Sequence, residues 1–269
     1  MSITSICVTC GTQYPPSPAP PASCLICEDE RQYVGHSGQQ WTTLPDMRQT
    51  HTADIRQVEP NLTGIGTTPT FAIGQRALLI QSPGGNVLWD CIALLNDDII
   101  DRVNALGGIN AIAISHAHYY GTMIEWAHTF DVPIYIHADD CEWVMRPDPV
   151  VRYWDGETHA LHDDITLIRC GGHFDGGQVL HWPAGAGGRG VLLAGDIVMV
   201  TADRRYVSFM YSFPNYIPLN AAAVHKITAA LNPFAYDRIY SAWYGKVLAE
   251  NAQAGVAYSA KRYLEAIAD

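Results

Sequence analysis

An apolar run at residues 111–114 leads directly into Ser115-His116-Ala117-His118-Tyr119-Tyr120-Gly121. The run is typical of a short buried strand that ends where the histidines begin. Two histidines separated by one residue lie on the same side of an extended chain, so their imidazoles converge just beyond the sheet. The pair His116 and His118 is therefore a candidate for two ligands of one metal ion.

Two later stretches carry further candidate ligands, again beside segments that look like strands. They are Gly171-Gly172-His173-Phe174-Asp175-Gly176 and Leu192-Leu193-Ala194-Gly195-Asp196. Three imidazoles and one carboxylate suit zinc, and an open coordination position would let a zinc-bound water ionise near neutral pH. The sequence predicts a pocket metal held by His116, His118, His173 and Asp196.

The order and context of these residues resemble the metallo-β-lactamase superfamily over about residues 69–269. The likeness also includes the strand that ends in Val87-Leu88-Trp89-Asp90. The resemblance implies an α+β fold, an αββα sandwich with the metal site at one edge of two sheets. It also implies that His116, His118 and His173 bind the first metal, and that Asp196 lies where the family places a carboxylate between two metals.

The chain departs from the family pattern where a second metal would bind. The family motif reads His-x-His-x-Asp-His, but Tyr120 and Gly121 occupy its last two positions. The late strand that usually precedes a further histidine reads Tyr240-Ser241-Ala242-Trp243-Tyr244-Gly245. We therefore expect one pocket ion, Zn²⁺ with Fe²⁺ as the alternative, and Asp196 acting as a ligand or as a base.

A separate metal motif lies at the N-terminus, in Cys7-Val-Thr-Cys10 and Cys24-Leu-Ile-Cys27. Each pair places two thiolates on one side of a tight turn, and four thiolates complete a closed tetrahedral site that favours structural Zn²⁺. This element resembles a zinc ribbon or a rubredoxin-like knuckle, without an open position for catalysis. Redox-active or free thiols are the alternative interpretation.

Three regions follow one another along the chain. Residues 1–34 form the four-cysteine element, and residues 35–68 are polar and look like an irregular connector packed on the main domain. Residues 69–269 alternate strand-like and helix-like segments and form the metallo-β-lactamase-like domain. Strand-like and helix-like segments that alternate in this order predict two sheets with helices packed outside them.

The composition and charge of the 269-residue chain argue against some classes of binding partner. A net charge of −11 disfavours nucleic-acid binding, which relies on clustered Lys and Arg. No apolar run approaches the roughly 20 residues of a membrane-spanning helix, and no signal peptide is visible, so we expect a cytoplasmic protein. A small-molecule substrate is expected. The aromatic stretch 209–216 suits a pocket wall, a contact with the four-cysteine element, or a contact with a second copy in a homodimer.

The leading functional hypothesis is a mononuclear metal-dependent hydrolase that attacks an ester, thioester, lactone or amide carbonyl. Asp196 is the candidate ligand or base, and Tyr120 and Tyr244 are candidate hydrogen-bond donors to the oxyanion. Two alternatives stay open. A mononuclear non-haem iron dioxygenase uses the same kind of ligand set. A catalytically degenerate scaffold would bind a partner without turnover.

Overall fold

The computed structural model describes residues 2–162 and 165–268. Contacts between backbones divide the chain into two units. The first unit comprises Met1–Ile136 and Cys141–Tyr153, and the second comprises His137–Asp140 and Trp154–Asp269. The N-terminal four-cysteine element thus belongs to the same unit as the first sheet. The division into 1–34, 35–68 and 69–269 stays a prediction.

The first unit is built mainly from strands, with helices between them. Its strands are β1 (Ile6–Cys7), β2 (Trp41–Thr42), β3 (Thr52–Glu59), β4 (Leu62–Thr68), β5 (Ala77–Ile80), β6 (Val87–Trp89) and β7 (Ala111–Ala113), together with β8 (Ile134–His137) and β9 (Val151–Trp154) except for the last residue of each. Its helices are α1 (Leu25–Glu28), α2 (Leu44–Thr50), α3 (Asp97–Ala105) and α4 (Met123–Phe130), and a 3₁₀ turn spans Ala117–Tyr119.

One sheet orders its strands β3-β4-β5-β6-β7-β8-β9. Neighbouring strands from β3 to β6 are antiparallel, whereas β6, β7 and β8 run parallel. Strands β5, β6 and β7 are buried along their whole length, as expected for the continuous apolar runs that form them. The end of β7 positions the His-x-His stretch.

The prediction of irregular structure over residues 35–68 is wrong. This stretch contains helix α2 and then the antiparallel pair β3 and β4, which joins the sheet as its edge. The two strands are connected at Pro60 and Asn61, and Asn61 adopts a left-handed φ of 63° that suits a tight turn. Residues 62–66 of β4 are all buried, but they read Leu-Thr-Gly-Ile-Gly, so the segment lacks a long apolar run.

Helix α3 begins at a capping residue of the sequence. Asn96 accepts a hydrogen bond from the backbone N–H of Ile99 and begins α3, with Asp97 and Asp98 in the first turn. Acidic residues there complement the positive end of the helix dipole.

The second unit contains the later strands and helices. Its strands are β10 (Thr158–His162), β11 (Ile165–Arg169), β12 (Gln178–Trp182), β13 (Val191–Gly195), β14 (Met199–Val200), β15 (Val207–Ser208), β16 (Met210–Ser212), β17 (Ile217–Pro218), β18 (Arg238–Ser241) and β19 (Val247–Leu248). Its helices are α5 (Gly185–Gly188), α6 (Ala221–Leu231) and α7 (Ala252–Ala266). A 3₁₀ segment, Ala138–Trp143, begins in this unit.

A second sheet orders its strands β10-β11-β12-β13-β18-β19. Strand β13 is antiparallel to β12 and parallel to β18. Helices α6 and α7 contribute Val224, Ile227 and Val256 to an apolar core beside this sheet. Within residues 2–162 and 165–268, none of the helices combines the length and apolar character needed to cross a membrane.

Candidate functional site

The four N-terminal cysteines lie together in the first unit, with their sulfur atoms within 4.8 Å of one another. The Sγ atoms of Cys7 and Cys27 are 3.6 Å apart, and so are those of Cys10 and Cys24. These separations are too long for a disulfide. A tetrahedral zinc site with Zn–S bonds of about 2.3 Å has sulfurs about 3.8 Å apart. The four-cysteine arrangement therefore fits a tetrahedral metal ion.

Tight turns bring each cysteine pair together. The N–H of Gly11 donates to the carbonyl of Cys7 at 2.8 Å, and Gly11 has a φ of 84°, a conformation that glycine adopts without strain. The N–H of Cys27 donates to the carbonyl of Cys24 at 3.0 Å. Both Cys-x-x-Cys turns thus hold their side chains on one side, as the spacing predicted.

Gln39 and Tyr14 surround the sulfurs with hydrogen-bond donors. The Gln39 amide nitrogen donates to Cys7 Sγ at 3.3 Å, and its oxygen accepts from the Cys24 N–H at 3.2 Å. The Tyr14 hydroxyl donates to Cys24 Sγ at 3.4 Å. Hydrogen bonds from the neighbouring thiols, Cys10 first, lower the pKa of Cys7. Thiolate character is therefore favoured at Cys7, whereas hydrogen bonds with the other thiols raise the pKa of Cys10 and of Cys27.

His116 and His118 are brought together in the first unit, after β7. The expected extended strand end is wrong in detail, because β7 ends at Ala113 and His118 lies in the 3₁₀ turn Ala117–Tyr119. Both are buried, and one ring nitrogen of each lies within 4.8 Å of the other. The carboxylate of Asp90 accepts hydrogen bonds from the N–H and the hydroxyl of Ser115, at 2.7 and 2.8 Å. Asp90 therefore fixes the residue that precedes the first histidine of the pair.

His173 and Asp196 are brought together in the second unit. His173 lies in the loop between β11 and β12, and Asp196 follows β13 directly. Both are buried, at 1% and 4% exposure. A ring nitrogen of His173 and a carboxylate oxygen of Asp196 lie within 4.8 Å of each other.

The hairpin of β16 and β17 determines which nitrogen of His173 can bind a metal. His173 Nδ1 lies 2.7 Å from the carbonyl oxygen of Tyr211 and 3.2 Å from that of Met210. A carbonyl oxygen only accepts, so Nδ1 carries the hydrogen and Nε2 keeps the lone pair in the neutral ring. This is the tautomer arrangement of metal-binding histidines, so His173 fits a metal ligand.

The two candidate oxyanion donors occupy different surroundings. Tyr120 is 1% exposed and lines a small cavity with Thr12, Gln13 and Arg146, next to the four-cysteine element. Tyr244 follows β18 in the second unit and is half-buried. Their catalytic roles stay predictions.

The structure gives a physical reason why Gly121 is not a histidine. Gly121 has a φ of 51°, in the left-handed region. A Cβ atom at this position would lie 2.7 Å from the carbonyl carbon and oxygen of Ile92, closer than real Cβ contacts come. Backbone conformation and packing both exclude a side chain here.

Sequence reasoning did not identify several residues that support the site. Gln39, beside the cysteines, and Asp140, which binds the loop of His173, are examples. Their partners are distant along the chain, so only the fold reveals the contacts. Asp90 did stand out, because it ends a predicted strand.

Comparison with known proteins finds a relative in sequence and similar folds among solved structures. The chain is 53% identical over 264 residues to YmaE of Bacillus subtilis (strain 168), a protein described as uncharacterized. The match covers 97% of this chain and 96% of YmaE. No model of a protein family matches the chain.

Among solved structures, VMB-1 superposes with a TM-score of 0.61 at 14% identity, over 80% of this chain and 98% of that one. The DIM-1 metallo-β-lactamase superposes with a TM-score of 0.58 at 15% identity, over 79% of this chain and 95% of that one. At these identities the likeness shows the fold. The predicted metallo-β-lactamase fold with a small four-cysteine element is thereby confirmed.

Proposed function

The chain belongs to the same protein family as YmaE and has the metallo-β-lactamase fold, and we propose that it is a mononuclear metal-dependent hydrolase of small substrates. The bond attacked is an ester, thioester, lactone or amide. The acidic net charge and the lack of a basic stripe support a small molecule over nucleic acid as the partner. We also propose a cytoplasmic location.

The observation that carries the proposal is the burial of three histidines and one aspartate in closely spaced pairs at strand ends. His116 and His118 are one pair, and His173 and Asp196 are the other. We propose that the two pairs hold one Zn²⁺ ion. Buried imidazoles and carboxylates are costly unless they are paired or bind a metal.

The donor set decides what chemistry the pocket supports. Bound zinc supplies a Lewis acid and brings water close to ionisation at neutral pH. In this proposal Asp196 would accept a proton or complete the ligand set. Tyr244 or Tyr120 would donate a hydrogen bond to the oxyanion of the substrate. The hairpin carbonyls of Met210 and Tyr211 keep the Nδ1 hydrogen of His173 in place.

The four-cysteine element has a structural role in this proposal. The four buried cysteines supply a closed tetrahedral donor set without room for a substrate. The Zn²⁺ it would hold contributes folding free energy, because so short a segment buries few other apolar side chains.

The experiment combines metal analysis with hydrolysis assays on a panel of ester, thioester, lactone and amide substrates. The wild-type protein is expected to bind one metal in the four-cysteine element and one in the pocket. His116→Ala and His173→Ala should each lose the pocket metal and all metal-dependent hydrolysis. His225→Ala, an exposed histidine on α6, is the matched control and should behave as wild type.

Three results would contradict the proposal. The first is hydrolysis that persists in protein with a loaded four-cysteine element and a metal-free pocket. The second is two pocket ions per chain. The third is pocket iron with oxygen uptake in anaerobically purified protein, which would identify an iron dioxygenase instead.

A further inference from the structure

The four-cysteine element makes a direct backbone contact with the end of the His-x-His stretch, in the first unit. Gln13 follows Gly11 and Thr12, and its N–H donates to the carbonyl of Gly121 at 3.0 Å. On its other side, the N–H of Cys7 donates to the carbonyl of Thr12 at 3.0 Å. A short chain of backbone hydrogen bonds therefore runs from a cysteine ligand to the residue three positions after His118.

The side chain of Gln13 reinforces this contact. Its amide nitrogen donates to Glu125 Oε1 at 3.3 Å, and its amide oxygen accepts from Arg146. Arg146 also donates to Glu125 Oε1 at 2.6 Å. Gln13 is 4% exposed, whereas the side chains of Arg146 and Glu125 are 16% and 31% exposed, so the network is only partly shielded from water. Hydrogen bonds to charged groups are stronger than those between neutral groups.

The segment that Gln13 contacts has little freedom to move elsewhere. Gly121 lies against the Ile92 carbonyl, and the Thr122 hydroxyl donates to the Ala93 carbonyl at 3.1 Å. Upstream, the Tyr119 carbonyl accepts from the N–H of Cys91 at 3.0 Å. The turn that carries His118 is thus held from one side by residues 91–93 and from the other by Gln13.

We propose that Gln13 is a positioning residue through which the metal-loaded four-cysteine element sets the geometry of His116 and His118. The inference rests on the proposed function, in which these two histidines bind the pocket metal. Its consequence is that the two metal sites are coupled. Disturbing Gln13, or emptying the four-cysteine site, loosens the His118 turn and lowers the affinity for the pocket metal.

The expected loss of pocket-metal affinity can be taken from other residues that orient metal ligands. Mutation of such residues lowers metal affinity by about 10- to 100-fold. Gln13→Ala removes the side-chain contacts but keeps the backbone N–H. We therefore expect a loss near the lower end, about 10-fold.

The test titrates cobalt(II) into metal-free wild type and Gln13→Ala. Thiolate-to-cobalt absorption reports the four-cysteine site, and the weaker visible bands of an N/O site report the pocket. Gln13→Ala should fill the four-cysteine site as wild type does and bind pocket cobalt about 10-fold more weakly. Gln57→Ala, an exposed glutamine of β3, should match wild type.

Two further variants separate positioning from general stability. Val256→Ala truncates a buried core residue of α7 and should lower the free energy of unfolding without changing pocket affinity. Gln13→Glu keeps the length of the side chain and replaces the donor to Glu125 by a like charge. It should weaken the pocket at least as much as Gln13→Ala, and it serves as the measured variant if the alanine protein does not fold.

The outcomes distinguish the inference from the proposed function. Wild-type pocket affinity in a folded Gln13 variant overturns the inference and leaves the proposed function intact. The same holds if Val256→Ala weakens the pocket to the same extent. A wild-type protein that binds cobalt only at the cysteines overturns the proposed function and the inference together.

Discussion

The carboxylate of Asp140 accepts a hydrogen bond from the backbone N–H of Gly176, with an O···N distance of 2.7 Å. Asp140 is 1% exposed, and a Cβ at Gly176 would lie 2.7 Å from its carboxyl carbon. The contact fastens one end of the loop that carries His173. Arg169 assists by donating to the carbonyl of Asp175 at 3.3 Å.

Replacing Asp140 should therefore destabilise the second unit. Asp140→Ala leaves the Gly176 N–H without its acceptor, and we expect a loss of about 2 kcal/mol in the free energy of unfolding. Asp140→Asn keeps an acceptor oxygen and should lose under about 1 kcal/mol. Urea denaturation measures both. Asp155→Ala, at an exposed position, is the control. An equal loss of stability in this variant would contradict the role of the Asp140 carboxylate.

Gly121 should not tolerate any side chain. Gly121→Ala combines a left-handed backbone with a contact of 2.7 Å to the Ile92 carbonyl. Gly38→Ala is the matched control, because Gly38 has a φ of 77° but nothing within 4 Å of its Cβ position. The control should lose about 1 kcal/mol from backbone conformation alone. Gly121→Ala should lose clearly more in the same denaturation assay, and similar losses would refute the packing argument.

The stability of the second unit should depend on the ionisation of His181. Burial lowers the pKa of His181 from 6.5 in the folded protein. The unfolded chain therefore binds more protons than the folded one just below pH 6.5, and stability falls as the pH drops through that value. His181→Gln does not titrate and can still donate to the Ala235 carbonyl, which the ring nitrogen of His181 contacts at 2.8 Å.

The measurement compares unfolding free energies of the two proteins at pH 7.5, 6.5 and 5.5. Any stability advantage of wild type should shrink as the pH falls, because only wild type carries the titrating ring. Loss of metal at low pH affects both proteins and cancels in the difference. A difference that stays constant with pH would contradict the expectation.

The seven cysteines should react with a thiol reagent in three stages. Cys141 is exposed and should react in the native, metal-loaded protein. The four knuckle cysteines should become reactive after chelation, because metal binding protects them. Cys91 and Cys170 should react only after denaturation, because both are buried, and burial raises the pKa of Cys170 to about 12. Rapid reaction of all seven in native protein would disprove the four-cysteine metal site.

The sequence predicted those parts of the molecule whose signal is local. The Cys-x-x-Cys turns form as their spacing indicated, and the buried strand β7, Ala111–Ala113, lies in the apolar run that predicted it. His116 and His118 do lie close together, although a 3₁₀ turn, Ala117–Tyr119, brings them there instead of an extended strand end. In each case neighbouring residues carry the whole pattern.

Other parts depend on contacts that no local pattern reveals. Strand β3 is an edge strand with mostly partly exposed side chains, so it lacks the apolar run by which buried strands are predicted. Gln13 meets Gly121 across more than a hundred residues of chain, and Asp140 meets Gly176 through a loop whose sequence does not indicate it. Contacts of this kind depend on how the strands and loops are arranged in the fold. That arrangement depends on packing throughout the core.

The close packing of Gly121 against residue 92 also bears on how this protein can evolve. A single substitution at position 121 cannot introduce a new ligand, because the backbone of residues 91–93 would have to retreat at the same time. Intermediates that carry only one of these changes would be poorly folded. The same obstacle applies to natural evolution and to protein engineering. A variant with a histidine at position 121 would first need a changed backbone conformation at residues 91–93.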